Sequence, residues 1–212
     1  MRPIPDKDLF MMCPSPNPGA FRPMPAGYSI RSCREDELDK WIDLQADDPS
    51  QSVVLREYLR DYFRGVYEPE KDIFYKNCAF AVDWADRPVG TVFIWKAYGC
   101  VNTVHWFKVR PSLEGRGIGR ALLGHVLGAL PPDGYPVFLH THPSSYRAIK
   151  LYADFGFRFL IDARVGSRMN DLLECLPILK EYMPEAAFST LRTISAPQSF
   201  LDAADSSPVS QF

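Results

Sequence analysis

The sequence predicts a mixed α/β fold in which one sheet is flanked by helices. Segments rich in β-branched and aromatic residues alternate with segments of helical periodicity, as expected for strands and helices in one mixed domain. Of the 212 residues, 46% are hydrophobic and 24% are charged, which excludes wholesale disorder and collagen-like or coiled-coil architecture. Proline is the outlier: its 19 residues are nearly twice the usual share of about 5%.

Proline is concentrated at the N-terminus. Seven of the 19 prolines fall within the first 25 residues, from Pro3 to Pro25. Because proline fixes φ and removes an amide donor, this segment is predicted to contain neither a central strand nor a long helix. We interpret residues 1–26 as a proline-rich, extended arm that packs on a domain of residues 27–165.

The elements of that domain follow from local patterns. The second of two early helices carries an apolar stripe at Val54, Leu55, Tyr58, Leu59, Tyr62 and Phe63. Three strands separated by the turns ADRP and YGC should form an antiparallel meander, and parallel pairing is expected around the helix that follows them. The predicted strands are 28–33, 77–84, 88–97, 101–109, 136–142 and 157–163, and the predicted helices are 35–46, 52–67, 117–130 and 144–155.

The last 50 residues are harder to assign to the sheet. NDLLECLPILKEYM is helix-like around Pro177, so residues 166–195 are predicted to be a helical segment that covers the domain. Either a short final strand lies near 164–169, or it is missing and a helix covers that edge of the sheet. Residues 196–212 are small and polar, which predicts a flexible tail.

Charge and cysteine content limit the partners and the compartment. The formal net charge of −2 provides no positive field for nucleic acid or anionic lipid, so neither nucleic acid nor a membrane is a predicted partner. The sequence has no apolar run of about 20 residues and no apolar secretion signal, so we expect a cytoplasmic protein. Its five cysteines contain no CxxC pair, which predicts reduced, buried thiols rather than disulfides or a metal site.

The most informative segment is VRPSLEGRGIGR, residues 109–120. It runs from the end of a strand, through Gly115, Gly117 and Gly119, into an amphipathic helix. Glycines let backbone N–H groups converge, and the helix N-terminus adds unpaired N–H groups with a partial positive charge. This combination is typical of a phosphate-binding loop.

Spacing excludes two nucleotide-binding motifs for this loop. No GxxxxGK[ST] run is present, so it is not a Walker loop. A GxGxxG count from Gly115 or Gly117 ends on Arg120 or Leu122, so the dinucleotide fingerprint fails as well. The alternative to phosphate binding is a tight strand-to-helix turn whose glycines serve packing.

Two motifs resemble the GNAT superfamily of acyl-CoA-dependent N-acyltransferases. The first is a strand ending in hydrophobic-x-Pro and followed by [Q/R]-x-x-G-x-[G/A]; it matches Val109 to Gly119, with Glu114 in the position of Gln or Arg. The second, N-x-x-A-x-x-x-Y-x-x-x-G-F, matches residues 145–157, with Ser145 in the position of Asn and Tyr152 in that of Tyr. The resemblance covers about residues 77–163, and residues 28–67 suit the family's variable front half.

The resemblance implies the GNAT fold, an acetyl-CoA cosubstrate and a site for it. The fold is a mixed, mostly antiparallel central sheet with splayed parallel strands 4 and 5 and helices on both faces. The pantetheine arm would lie between strands 101–109 and 136–142, and the diphosphate on the amides of residues 115–120. The implied cofactor-binding residues are Phe107, Lys108, Val109, Glu114, Gly115, Arg116, Gly117, Ile118, Gly119, Arg120, Ser145 and Tyr152.

Candidate catalytic residues come from the same resemblance and from the histidines. The family position of Tyr152 implies an acid that protonates the departing thiolate; the alternative is a core aromatic on the stripe of its helix. An imidazole with a pKa of about 6.5 suits a base near neutral pH. His105 is the first candidate for this role and His140 the second, and the alternative for each is a hydrogen-bonded structural histidine.

Two-residue periodicity places His105 on the same strand face as Phe107 and Val109. It also places His140 and His142 together on the next strand, where they could suggest a zinc pair. No third ligand with metal spacing lies nearby in the sequence, so no metal is predicted.

The expected reaction is transfer of the acetyl group of acetyl-CoA to a primary amine of a small molecule or peptide, by direct attack in a ternary complex. The alternative is a non-catalytic acyl-CoA-binding sensor or scaffold module, which the departures at Glu114 and Ser145 keep open. Residues 47–75 would contribute to the acceptor groove, and their mixed charges predict no acceptor charge. The oligomeric state is left open, with a homodimer among the alternatives.

Overall fold

The computed structural model describes residues 3–46, 52–207 and 211. It divides the chain into two compact units. The first holds Met1–Ala20, Lys96–Thr103 and Leu130–Phe212, and the second holds Phe21–Trp95 and Val104–Ala129.

Ten strands and eight α-helices are present in the described residues. The strands are β1 (Leu9–Cys13), β2 (Tyr28–Ser32), β3 (Ala79–Asp83), β4 (Pro88–Ala97), β5 (Val101–Val109), β6 (Val137–Thr141), β7 (Arg158–Leu160), β8 (Arg164–Val165), β9 (Arg168–Met169) and β10 (Thr193–Ile194). The helices are α1 (Leu38–Gln45), α2 (Ser52–Tyr62), α3 (Lys71–Asn77), α4 (Ile118–Gly128), α5 (Tyr146–Asp154), α6 (Leu172–Tyr182), α7 (Glu185–Phe188) and α8 (Gln198–Ser206).

The second unit is built on a four-stranded meander in the order β2-β3-β4-β5. Strand β3 pairs antiparallel with both β2 and β4, as the alternating, β-branched sequence predicts. One face packs on α4: Leu122 lies against the backbone at Gly90. The other face packs on Tyr67, which contacts the rings of Phe93 and Trp95. Helices therefore lie on both faces of this half of the sheet.

The helices of the second unit depart from prediction in two places. The helix predicted over 52–67 is α-helical only to Tyr62 and continues as a π-helical turn, Phe63–Tyr67; α3 follows and was not predicted. The apolar stripe is buried at Leu59 and Phe63, whereas Val54 is 76% exposed and Tyr58 52% exposed. Asp47 and Asp48, at the start of the predicted acceptor region, lie outside the described residues.

In the first unit, β6 lies between two strands: β1 on one side and the start of β5 on the other. Strand β1 pairs antiparallel with β6 along its whole length and with β7 on its other edge. Strand β6 pairs in parallel with β5 at Asn102 and Thr103. The prediction that the first 25 residues contain no central strand is therefore wrong. The stretch between Pro5 and Pro14 contains no proline, and its apolar LFMMC is entirely buried, so nothing there breaks a strand.

The C-terminal region also differs from prediction. Of the two alternatives for the end of the sheet, the structure has short strands near 164–169, but β8 and β9 form a separate two-stranded sheet. The strand at the edge of the main sheet is instead β10, which pairs in parallel with β7. The flexible tail predicted over 196–212 is wrong for residues 198–206, which form α8. Phe200 and Ala204 are buried there, and the Phe200 ring stacks on Phe138 with centroids 3.9 Å apart. The many small and polar residues of this segment concealed that Phe200 and Ala204, four residues apart, share a helix face.

The fold class is as predicted: a mixed, mostly antiparallel sheet with a parallel β5/β6 pair and helices around it. Four of the five cysteines are buried thiols, and Cys100, in the turn before β5, is exposed. Among the helices that the structure describes, none has the length and hydropathy needed to cross a membrane.

Candidate active site

The glycine loop adopts the geometry that phosphate binding needs. After β5 the chain makes a single 3-10 turn, Pro111–Leu113, and then enters α4. Gly115 and Gly117 have φ values of +76° and +88°, a left-handed conformation that favours glycine. Gly117 is the N-cap of α4, and no described side chain caps the helix there. The first amides of α4 are therefore available to an anion.

Gly119 is required for a different reason. A Cβ at this position would lie 3.0 Å from Cζ of Phe107 and 3.5 Å from Cγ2 of Val109. The first turn of α4 can approach β5 this closely only because residue 119 lacks a side chain. Phe107 and Val109, both predicted cofactor-binding residues, thus support the helix whose N-terminus forms the loop.

The charged residues of the loop differ in burial. Glu114 and Arg116 are exposed, while Lys108 and Arg120 are half-buried. Nη2 of Arg116 lies 3.5 Å from the carbonyl oxygen of Ser112, so only a weak contact holds the Arg116 guanidinium beside the loop.

Tyr152 lies on α5 in the first unit and is 6% exposed. Burial raises its pKa well above the ordinary value of about 10, so the phenol stays protonated through the neutral range. The centroids of the Tyr152 and Phe157 rings are 5.7 Å apart. Gly156 of the same motif has φ +98°, and a Cβ there would lie 3.0 Å from the carbonyl oxygen of Ser15. This glycine closes α5 against the segment that follows β1.

Ser145, the second departure from the motif, is the N-cap residue of α5. Its backbone N–H donates to the carbonyl oxygen of His142 at 2.9 Å, and its side chain makes no capping hydrogen bond within the described chain.

His105 is buried in the aromatic core of the second unit. It is 4% exposed, and burial lowers its pKa to about 3, so the imidazole is neutral at neutral pH. Its Nδ1 is hydrogen-bonded to the Tyr67 hydroxyl at 2.5 Å, and Tyr67 also accepts a hydrogen bond from Nε1 of Trp106 at 2.9 Å. Nε2 of His105 has no partner among the described residues.

The predicted strand face of His105 is wrong. Trp106 has φ +50°, a left-handed conformation that interrupts the two-residue alternation of β5. As a result, His105 and Trp106 both contact Tyr67, whereas Phe107 and Val109 lie against α4. The sequence contains no glycine at this point, so no local signal reveals the irregularity.

His140 is engaged at both ring nitrogens. Nδ1 lies 3.3 Å from Nη1 of Arg168, and Nε2 lies 2.8 Å from Oδ1 of Asp8. Because a guanidinium only donates, Nδ1 accepts and the Nε2 hydrogen is donated to Asp8. Burial, reinforced by the charge of Arg168, lowers the pKa of His140 to about 4. Although burial alone would raise the pKa of Asp8, hydrogen bonds from His140 and Arg168 lower it overall.

The structure places a third potential metal ligand, Asp8, beside His140 and His142, although the sequence spacing indicated none. One potential ligand atom from each of Asp8, His140 and His142 lies within 4.8 Å of the others. Arg168 donates to both carboxylate oxygens of Asp8, at 2.8 and 3.1 Å, and this positive charge opposes a cation. Asp8 and His140 are 132 residues apart in sequence, so no spacing rule could have found the cluster.

Comparison with known proteins agrees with these motifs. The family described as "Acetyltransferase (GNAT) family" matches residues 36–157. A mycothiol acetyltransferase from Clavibacter michiganensis subsp. michiganensis is 34% identical over 143 residues, which are 65% of this chain and 44% of that protein. The chain thus spans less than half the length of this relative.

Solved structures show the same fold. A GNAT-family acetyltransferase from Colwellia psychrerythraea superimposes with a TM-score of 0.53 at 14% identity, covering 73% of this chain and 53% of that one. A GCN5-related N-acetyltransferase from Sphaerobacter thermophilus has a TM-score of 0.50 at 21% identity, covering 69% and 48%. With a family match across more than half of its length, the chain belongs to the GNAT acetyltransferase family.

Proposed function

We propose that this protein transfers the acetyl group of acetyl-CoA to a primary amine of a small molecule or peptide, by direct attack in a ternary complex. The observation that carries the proposal is the loop after β5. Two left-handed glycines lead into the N-terminus of α4, which no described side chain caps, and this arrangement suits the diphosphate of CoA. Family membership supports acetyl transfer in general.

The loop residues divide the work of holding the cofactor. The amides of residues 115–120 would bind the diphosphate, and Arg116 and Arg120 would add charge-assisted hydrogen bonds. The backbone of Phe107, Lys108 and Val109 would line the acyl arm and donate to the developing oxyanion. Glu114 and Ser145 complete the implied cofactor-binding set.

Tyr152 is the proposed proton donor to the departing thiolate. Its raised pKa means that the phenol reaches the reaction protonated, although it is a weak acid in the ground state. Proton transfer becomes favourable only as negative charge develops on sulfur, whose thiol has an ordinary pKa of about 8.5.

His105 is the better of the two histidine candidates for removing the proton from the amine. Its Nε2 has no partner within the described residues, whereas His140 is engaged at both nitrogens. A pKa of about 3 makes His105 a weak base, so we propose that the amine enters deprotonated. In the tautomer this role needs, Nδ1–H donates to the Tyr67 oxygen, and the Nε2 lone pair accepts the proton as the new C–N bond forms.

Calorimetric titration with acetyl-CoA and a thiol-release assay over a panel of amines test this proposal. The panel includes the acceptor of mycothiol acetyltransferase, because that enzyme is a relative of this chain. We expect acetyl-CoA binding and release of free thiol with at least one amine. No binding at millimolar acetyl-CoA would overturn the proposal.

A second candidate, a non-catalytic acyl-CoA-binding sensor or scaffold, is favoured by Glu114 and Ser145, which depart from the motifs. Tyr152→Phe separates the two candidates. An enzyme should lose about tenfold or more in kcat while its acetyl-CoA affinity is unchanged, since general acid catalysis contributes about 10²–10⁴-fold. A sensor should show no turnover in either form.

A further inference from the structure

Three polar groups of the second unit meet at the hydroxyl of Tyr67, whose side chain is fully buried. Nε1 of Trp106 lies 2.9 Å from the Tyr67 oxygen, and Nδ1 of His105 lies 2.5 Å from it. The phenol of Tyr62 is the third hydrogen-bond partner. His105, Tyr67 and Tyr62 therefore form one continuous chain of hydrogen bonds within an aromatic core.

Two backbone irregularities bring this chain together. In a regular α-helix, residues five apart, such as Tyr62 and Tyr67, point about 140° away from each other. The π-helical turn Phe63–Tyr67 changes that direction, and the centroids of the two tyrosine rings lie 5.5 Å apart. On β5, the left-handed Trp106 lets both Trp106 and His105 reach Tyr67. Departures of these two kinds are frequent at functional sites.

The donors and acceptors of the chain fix its direction. An indole N–H can only donate, so Trp106 occupies one lone pair of the Tyr67 oxygen. Nε2 of His105 is buried without a partner among the described residues, and an unpaired N–H in that position is less favourable than an unpaired lone pair. The ring hydrogen of His105 is therefore assigned to Nδ1, which donates to the second lone pair of Tyr67. With both lone pairs occupied, Tyr67 donates its own hydrogen to Tyr62.

The surroundings of His105 make such a chain useful to a base. Burial lowers the pKa of His105 to about 3, so a charged imidazolium is costly in this core. A proton that arrives at Nε2 is accommodated best if the proton on Nδ1 leaves at the same time. The chain leads outward, because Tyr67 is fully buried and Tyr62 is half-buried.

We propose that Tyr67 and Tyr62 are positioning residues that hold His105 in the Nδ1–H tautomer and pass its proton towards the surface. This inference rests on the proposed function. As the electron pair of the amine forms the C–N bond, the amine proton moves to Nε2, the Nδ1 proton to Tyr67, the Tyr67 proton to Tyr62 and the Tyr62 proton to water. One proton enters and one leaves, so all three side chains stay neutral. After product release, Nε2 gives its proton to water and Tyr62 takes one up, which restores the chain.

Nitrogen NMR of protein labelled with ¹⁵N-histidine reads the tautomer without any substrate, and His105→Gln assigns the signals. We expect Nδ1–H in the wild type. Tyr62→Phe removes the acceptor of Tyr67, whose hydrogen then turns to Nδ1, so His105 should change to the Nε2–H tautomer. The matched control is Tyr28→Phe, at a half-buried tyrosine on β2 of the same unit, and it should keep Nδ1–H. Nε2–H in the wild type, or one tautomer in both the wild type and Tyr62→Phe, would overturn the inference.

Single-turnover thiol release tests the passage of the proton. Tyr62→Phe should lower the rate by about tenfold at unchanged acetyl-CoA affinity, as part of the 10²–10⁴-fold that general base catalysis contributes. In mixtures of H₂O and D₂O, the wild-type rate should fall along a curve, because several protons move together. The rate of Tyr62→Phe should fall less and linearly, which the loss of a merely structural hydroxyl would not cause. Tyr28→Phe should retain the wild-type rate and curve.

The inference and the proposed function can fail separately. Tyr67→Phe leaves two buried donors without an acceptor and can impair folding, so the decision rests on Tyr62→Phe with a melting temperature close to that of the wild type. Acetyl-CoA turnover at equal rates in Tyr62→Phe and Tyr28→Phe overturns the inference alone. No acetyl-CoA binding or turnover, with a His105 tautomer that Tyr62→Phe reverses, overturns the proposed function and supports the hydrogen-bonded chain.

Discussion

His105 on β5 and His140 on β6 look alike in the sequence, since each lies within a segment that predicts a strand, but their surroundings in the structure differ. Both are strand histidines whose pKa values burial lowers, to about 3 for the buried His105 and to about 4 for the half-buried His140. His105 is surrounded by aromatic rings and keeps one ring nitrogen without a described partner. His140 is held between a carboxylate and a guanidinium. The two candidate bases are therefore distinguished by whether a ring nitrogen lacks a hydrogen-bond partner among the described residues, and the lowered pKa alone does not distinguish them.

The largest expected effect is on the pH dependence of stability. Both histidines are neutral when folded, and an unfolded histidine takes up a proton below about pH 6.5, so stability is lost as the pH falls from 6.5 towards 4. The slope should approach two protons, or about 3 kcal/mol per pH unit at its steepest. Urea unfolding between pH 7 and 4.5 measures it.

His105→Gln and His140→Gln should each remove about one proton from that slope. An unchanged slope in either variant would show that the histidine concerned has the same pKa in the folded and unfolded chain. His105 and His140 would then no longer share a lowered pKa.

The next largest effect is on turnover. His105→Gln should lower kcat by about 100-fold, the usual contribution of a general base, and should leave acetyl-CoA affinity unchanged. The loss on His140→Gln should be much smaller at equal folded fraction, because neither nitrogen of His140 is free to take a proton. Single-turnover thiol release compares them, and the reverse ranking would assign the base to His140.

A smaller effect is expected on stability when the His140 cluster loses its carboxylate. Asp8→Ala leaves Arg168 and His140 without their acceptor and should cost about 1–3 kcal/mol in free energy of unfolding. Asp6→Ala is the matched control: Asp6 contacts His142 at 3.0 Å but is almost fully exposed, so its loss should be close to zero. Equal costs for the two variants would contradict a structural role for the cluster.

The smallest effect concerns the partners of His105. Trp106→Phe removes the indole donor to Tyr67 and should cost about 0.5–1.5 kcal/mol, with a few-fold loss of kcat if Tyr67 positions His105. Trp84→Phe, at an exposed site of the same unit, should leave stability within about 0.5 kcal/mol. A kcat that does not change on Trp106→Phe would separate Tyr67 from the reaction.

Local sequence patterns predicted what depends on local geometry. The strand-loop-helix of residues 109–120 is one continuous segment of the sequence, and so is the helix bearing Tyr152. Glycine positions and hydrophobic periodicity were therefore sufficient to predict both. The face of His105 could not be predicted, because tryptophan rarely adopts the left-handed conformation that Trp106 has, and nothing in the residue types of this strand indicates it. Asp8 and Arg168 meet His140 only through tertiary pairing, which a single sequence does not reveal.

Strand β1 is synthesised early but can pair in the sheet only late, because its partner strands β6 and β7 lie far downstream in the sequence. LFMMC is translated before either of its partners: Cys13 pairs with Val137, roughly 120 residues later, and Met11 also pairs with Phe159. Until those partners leave the ribosome, five consecutive apolar residues wait unpaired, with Pro5 and Pro14 close on either side. Proline is poorly tolerated in cross-β stacks, so the flanking prolines limit association of this segment with other nascent chains while it waits.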